Sequence, residues 1–96
     1  MPDSQKIELL SDATNEVVAR YVERNYPGVL IQGDTLKILF DDLEELQEEI
    51  AGGDMESAKE ISDVIQEKLL DLLTHYETVL SEHGIELPYF GAVSSR

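Results

Sequence analysis

The chain has 96 residues, 42% of them hydrophobic and 29% charged, and it contains no cysteine. That length fits a single domain over residues 1–96 and excludes a two-domain enzyme or a full barrel. Seven Lys and Arg against 21 Asp and Glu leave a net charge of −14. This argues against nucleic acid or an anionic membrane as a direct partner and is suited to a basic protein surface, or to solubility alone.

The missing cysteine removes disulfides and sulfur-ligated zinc and fits a reducing compartment. No basic start followed by a long apolar run opens the sequence, so no signal peptide is expected and the cytoplasm is the expected location. The longest apolar stretches hold three residues, such as Val29-Leu30-Ile31, far short of a membrane span.

In chain order, Lys6-Ile7-Glu8-Leu9 alternates polar and apolar residues, the period of a half-buried strand. Ser11 to Asn15 is turn material, and the β-branched run from Val17 to Val22 completes a hairpin. Tyr26-Pro27-Gly28-Val29 predicts a type II turn with Gly28 at positive φ. Val29-Leu30-Ile31 is apolar throughout and predicts a central or doubly covered strand. The strands are expected at about 6–11, 16–24 and 29–32.

At Gly33 the period changes. Asp34 predicts a helix N-cap, and Leu36, Leu39, Phe40, Leu43, Leu46 and Ile50 recur at helical spacing. Gly52-Gly53 ends this helix and Asp54 caps the next. That helix carries an apolar stripe from Met55 to Leu80, and Gly84 closes it in the left-handed conformation with Ile85 as the apolar contact. The predicted fold is α+β: a three-stranded antiparallel sheet packed against an antiparallel two-helix hairpin over about 34–83. A short C-terminal tail, 84–96, follows, with its last residues expected to be loose.

The two helices differ in length, about 25 Å for 35–51 against about 44 Å for 55–83 at 1.5 Å per residue. The overhang near Leu73 to Leu80 is still apolar. It must cover the sheet, kink back, or meet another chain, which opens the option of a homodimer through the second helix.

Candidate site residues follow from charge. Asp41, Asp42, Glu44, Glu45, Glu48 and Glu49 fall within nine residues, opposite the apolar stripe of the first helix. Glu56, Glu60, Glu67 and Asp71, with Asp63, form a ribbon at steps of three and four on the second. Residues 34–83 hold 15 acids and three lysines. Either these are solvated faces or they form a docking face. Ile38, projecting among the carboxylates, resembles an apolar anchor with a polar rim, and packing of the first turn onto the sheet is its alternative. The candidate partner-binding set is Ile38, Asp41, Glu44, Glu45, Glu48 and Glu49.

Arg20 and Gln32 mark a possible second site. Arg20 and Arg24 share a strand face, where they either neutralise nearby carboxylates or recognise an acidic group, and Gln32 is a long amide just before a helix cap. His75 and His83 are eight residues apart and do not make a chelating pair. No phosphate loop, nucleophile elbow or EF-hand loop is present, so no metal, no cofactor and no enzymatic activity are expected.

The stretch from Arg24 to Leu36, reading Arg-Asn-Tyr-Pro-Gly-Val-Leu-Ile-Gln-Gly-Asp-Thr-Leu, resembles a family of short, functionally uncharacterised bacterial proteins. They share an aromatic-Pro-Gly turn, an apolar triplet and Gln-Gly-Asp-Ser/Thr-Leu. Thr14-Asn15 followed by Val17-Val18 also fits, so the resemblance covers about a quarter of the chain. Val22-Glu23-Arg24 stands where that family usually has Pro-Gly-Arg. The resemblance implies a small soluble bacterial protein and brings no activity with it.

Two functions are consistent with these features. One is a small acidic inhibitor, such as an immunity protein, that neutralises a basic toxin or another nucleic-acid enzyme. The other is a non-enzymatic homo-oligomeric assembly module.

Overall fold

A computed structural model of the chain describes residues 7–10, 16–21 and 26–95. Its elements are β1 (Ile7–Leu9), β2 (Glu16–Tyr21), β3 (Gly28–Ile31), α1 (Gly33–Ala51) and α2 (Met55–Glu82), followed by a 3-10 turn at Val93–Ser95. The class is α+β, as the change of hydrophobic period at Gly33 predicts. The strands form one antiparallel sheet in the order β1-β2-β3. The loop expected at residues 11–15, and residues 22–25 with Arg24 among them, lie outside the described residues.

The chain divides into two compact units: Met1–Ile31 with Leu72–Arg96, and Gln32–Asp71. The first is the sheet unit. Val18, on the middle strand, is fully buried and packs in one cluster with Leu10 and with Tyr76, Val79 and Leu80 of α2. Val29, Ile85, Leu87 and Tyr89 pack around that cluster. The Tyr76 hydroxyl donates to the Pro27 carbonyl at 2.7 Å, so a large apolar ring is buried without an orphaned polar atom. Burying Leu80 and Val18 completely contributes about 1.5–3 kcal/mol each. The overhanging end of α2 therefore covers the sheet.

The second unit is a helical hairpin. Gly53, at φ 81°, makes the turn between α1 and α2. Asp54 then caps α2, its carboxylate accepting from the Ser57 N–H at 3.0 Å and the Ser57 hydroxyl at 2.9 Å. These bonds, the backbone one first, hold the exposed Asp54 carboxyl below its usual range. Lys68 reaches from α2 to Asp42 of α1 at 2.7 Å, which fixes the two helices as antiparallel neighbours. The far end of α2 closes as predicted. Gly84 takes φ 67°, its N–H bonds to Ser81 and that of Ile85 to Leu80, a Schellman closure.

Four expectations need correction. β3 is an edge strand with only one face partly covered, and Leu30 is 65% exposed. An apolar triplet does not demand a central position when the strand has only four residues and lies at the margin. Gly28 is not among the positive-φ glycines; it opens β3 opposite Ala19, so the Pro27-Gly28 pair is not a type II turn. Asp34 is not the N-cap. Gln32 is, through its backbone, with its carbonyl accepting from the Leu36 N–H at 3.0 Å. Asp34 instead sits in the first turn and accepts from the Thr35 N–H at 2.8 Å. Finally, the tail through Ser94 is tied down, as described below.

Candidate protein-binding faces of the helical hairpin

Every residue of α1 is described and none is buried. The half-buried positions Thr35, Leu39, Asp42, Leu46 and Glu49 mark the side of α1 turned to α2. On α2 the corresponding side carries Ser57, Ala58, Ile61, Ile65 and Lys68. At 100° per residue, Leu36, Phe40, Leu43 and Ile50 lie about 90° further round α1. Met55, Ser62 and Leu69 lie about 90° further round α2 in the same rotational sense. The helices run in opposite directions, so equal rotations lead to the same side of the hairpin. Its two exposed apolar stripes thus form one front face. Leu36, Phe40, Leu43, Ile50, Met55 and Leu69 are between 45% and 59% exposed there.

The opposite, back face is acidic. On α1 it carries Asp34, Asp41, Glu45 and Glu48, with Glu44 at the outer edge and Glu49 half-buried toward α2. On α2 it carries Glu56, Glu60, Glu67 and Asp71. Ile38 is 50% exposed among the α1 carboxylates, and Val64 is also exposed beside those of α2. Five of the six candidate binding residues therefore fall on the back and outer side of one helix, where Ile38 presents apolar surface ringed by acids, and the sixth, Glu49, is half-buried toward α2.

Lysines offset little of this charge. Lys37 pairs with Asp41 and lies 5.7 Å from the centre of the Phe40 ring. Its ammonium is shifted upward, first by the Asp41 hydrogen bond. Lys59 pairs with Asp63 at 2.6 Å. Among the described residues, Glu44, Glu45 and Glu48 make no ion pair.

Of the second candidate pair, Arg20 belongs to the sheet unit and Gln32 to the hairpin unit. Arg20 bonds across the strand pair to Glu8, its Nη2 at 2.9 Å and Nε at 3.2 Å from Oε1. Glu8 and Arg20 are register partners, so the arginine neutralises a neighbouring carboxylate, one of its two expected roles. The Gln32 side chain makes no capping bond.

Sequence reasoning missed Glu77. It is 4% exposed and accepts four hydrogen bonds. Tyr89 donates its hydroxyl at 2.8 Å and Val93 its N–H at 3.0 Å. Ser94 donates its N–H at 2.8 Å and its hydroxyl at 2.6 Å. Burial alone would push this carboxyl up; the bonds from Ser94, Val93 and Tyr89 override it and hold Glu77 at about 2. The same burial and the Glu77 charge push the Tyr89 hydroxyl up to about 12. Tyr89 also stacks on Tyr76 with ring centres 6.5 Å apart. The signal was present: Glu77 stands on the apolar stripe between Leu73 and Leu80, at i−4 and i+3. This cluster is a structural clamp for the tail.

The sequence model of a family of unknown function matches residues 2–89, a span that includes every strand and both long helices. The chain belongs to the DUF6959 family. No curated protein matches it. No solved structure matches it either. In this DUF6959 chain the described residues include no group of three or more His, Cys, Asp or Glu arranged to hold a metal ion. No helix among them is long and apolar enough to cross a membrane. His83 uses its Nε2 on the Leu10 carbonyl at 3.0 Å, a link within the sheet unit.

Proposed function

We propose that this protein is a non-catalytic binding protein whose acidic hairpin face docks on a cationic protein surface. The observation that carries this reading is the back face of α1, where Glu45 and Glu48 make no ion pair among the described residues and lie with Asp41 around the half-exposed Ile38. Like charges at i, i+4 repel, so this arrangement does not serve helix stability. It does suit fast, salt-sensitive capture of a basic surface, with a desolvated apolar contact at the centre.

The partner class we propose is an enzyme acting on nucleic acid, because such enzymes carry cationic clefts that an acidic helix can fill. The narrowest form of the proposal is a bacterial, cytoplasmic immunity protein against a basic toxin. The exposed apolar front face favours a second activity, assembly.

Charge reversal tests the first reading. Glu45→Lys with Glu48→Lys should cut the association rate with a basic nuclease partner by about tenfold or more at low salt, because steering contributes roughly 10–10³ in rate. The fold should persist, since both side chains point away from the apolar stripe. Ile38→Ala should instead raise the dissociation rate. Surface plasmon resonance at two salt concentrations separates these effects, and unchanged binding by the double reversal removes this face from the interface.

A further inference from the structure

The front face of the hairpin is an apolar surface whose own sector carries no charged side chain, and the nearest charge is the Lys37 ammonium, 5.7 Å from the Phe40 ring at its outer edge. On α1 the sector from Leu46 through Leu39, Ile50, Leu43 and Leu36 to Phe40 spans roughly 120° and holds only one polar side chain, Gln47. The matching sector of α2 within the hairpin unit holds Ile65, Ala58, Leu69 and Met55, with Ser62 and Gln66. Nothing on it attracts a cationic partner, which belongs to the back face.

Its spacing is that of helix-on-helix packing. Leu36, Leu43 and Ile50 are seven residues apart, with Leu39 and Leu46 between them. Met55, Ser62 and Leu69 are also seven apart, with Ala58 and Ile65 between. Side chains repeated in this way fill the gaps of a facing pair of helices.

Area and the repeat of the pattern select the occupant, and the placement of charge permits it. The six half-exposed side chains present on the order of 600 Å², at the top of what a monomer leaves open. Two such faces together approach the roughly 1,200 Å² at which stable interfaces begin. A second copy brings the same heptad pattern on the same length of helix. Pairing front to front also turns both acidic back faces outward, which keeps most of two charges of −14 apart.

We propose that two copies pair through Leu36, Phe40, Leu43, Ile50, Met55 and Leu69 into a four-helix bundle. Two hairpins, each with one apolar face, complete a core that neither has alone. The pairing displays two acidic faces on opposite sides and stands independently of what those faces bind.

Sedimentation equilibrium of the full chain, over a wide concentration series, tests the pairing. The expected result is a mass twice the 10.8 kDa of one chain. Leu43→Glu should abolish the dimer, and Leu43→Ala, which keeps helix propensity, should weaken it by about tenfold or more. Glu45→Lys, on the back, should leave the dimer in place. Near-ultraviolet circular dichroism of Tyr76 and Tyr89 reports whether the sheet unit of each variant is intact. Should Leu43→Glu unfold, Leu43→Ala decides alone. Added salt should strengthen the dimer by screening like charges, whereas it weakens capture of a basic partner. A single-chain mass at every concentration, or an unaltered dimer in Leu43→Ala, overturns the proposal, and a different apolar partner then owns this face.

Discussion

At the scale of single residues, the most consequential side chain is Glu77. A carboxylate on the apolar stripe of a helix is costly unless its oxygens are satisfied, and four donors from Tyr89, Val93 and Ser94 satisfy them. Glu77→Gln keeps the shape but turns one acceptor into a donor facing other donors. The expected loss is about 2–3 kcal/mol, since bonds to a charged acceptor are the strong ones and orphaned buried donors add their own cost. Thermal unfolding should therefore begin about 10 °C lower or more. Val93 and Ser94 should also lose amide protection in hydrogen exchange. Retention of that protection in Glu77→Gln would show that the tail is held by other contacts. Leu80 gives the matching apolar case. It is fully buried, so Leu80→Glu should unfold the sheet unit. A folded monomeric variant would instead assign Leu80 to an interface between chains.

The elements differ in how far the sequence disclosed them. Both helices and three of their four ends were legible because period, Gly and Asp point one way there: Gly52-Gly53 and Asp54 between the helices, and Gly84-Ile85 after the second, act locally. The start of α1 was misplaced, because Gln32 and not Asp34 is its N-cap. Gly53→Ala should cost about 1 kcal/mol or more, because a Cβ there meets open space and the φ of 81° is the strained part. Equilibrium denaturation in urea measures this, and an unchanged midpoint would mean that the turn relaxes. The strands were legible in number and direction, but not in rank. Whether β3 lies at the edge or centre depends on the order of pairing, which no short apolar run encodes. The candidate site was legible as a carboxylate pattern on one helix. Its relation to the front face was not, because that requires knowing which rows of each helix meet. The clamp on Glu77 joins residues 12 to 17 positions apart, beyond the reach of periodicity.

For the whole molecule, charge and Glu77 pull stability in opposite directions with pH. From pH 7 to about pH 5, protonating part of the surface carboxylates relieves the repulsion among a net −14, so the melting temperature should rise. Below that range it should fall. The Glu77 carboxyl is depressed from 4.5 to about 2 on folding, so its contribution is complete above the unfolded value and is lost as pH drops through the folded one. That contribution is about 3 kcal/mol at most. A calorimetric series from pH 7 to pH 2 should show a maximum near pH 5. A curve that only falls would mean that the acidic face is already neutralised by internal partners. Adding salt at pH 7 should raise stability for the same reason.

The sheet unit is discontinuous in sequence, Met1–Ile31 completed by Leu72–Arg96, with the hairpin unit between them. That arrangement sets an order of events during synthesis. Strands leaving the ribosome first have no core to join, because Tyr76, Val79 and Leu80 are made later. The hairpin needs only neighbours close in sequence, so it forms early and shortens the path between the two halves. The bond between His83 and Leu10, 73 residues apart, can form only after the intervening chain has brought its two ends together.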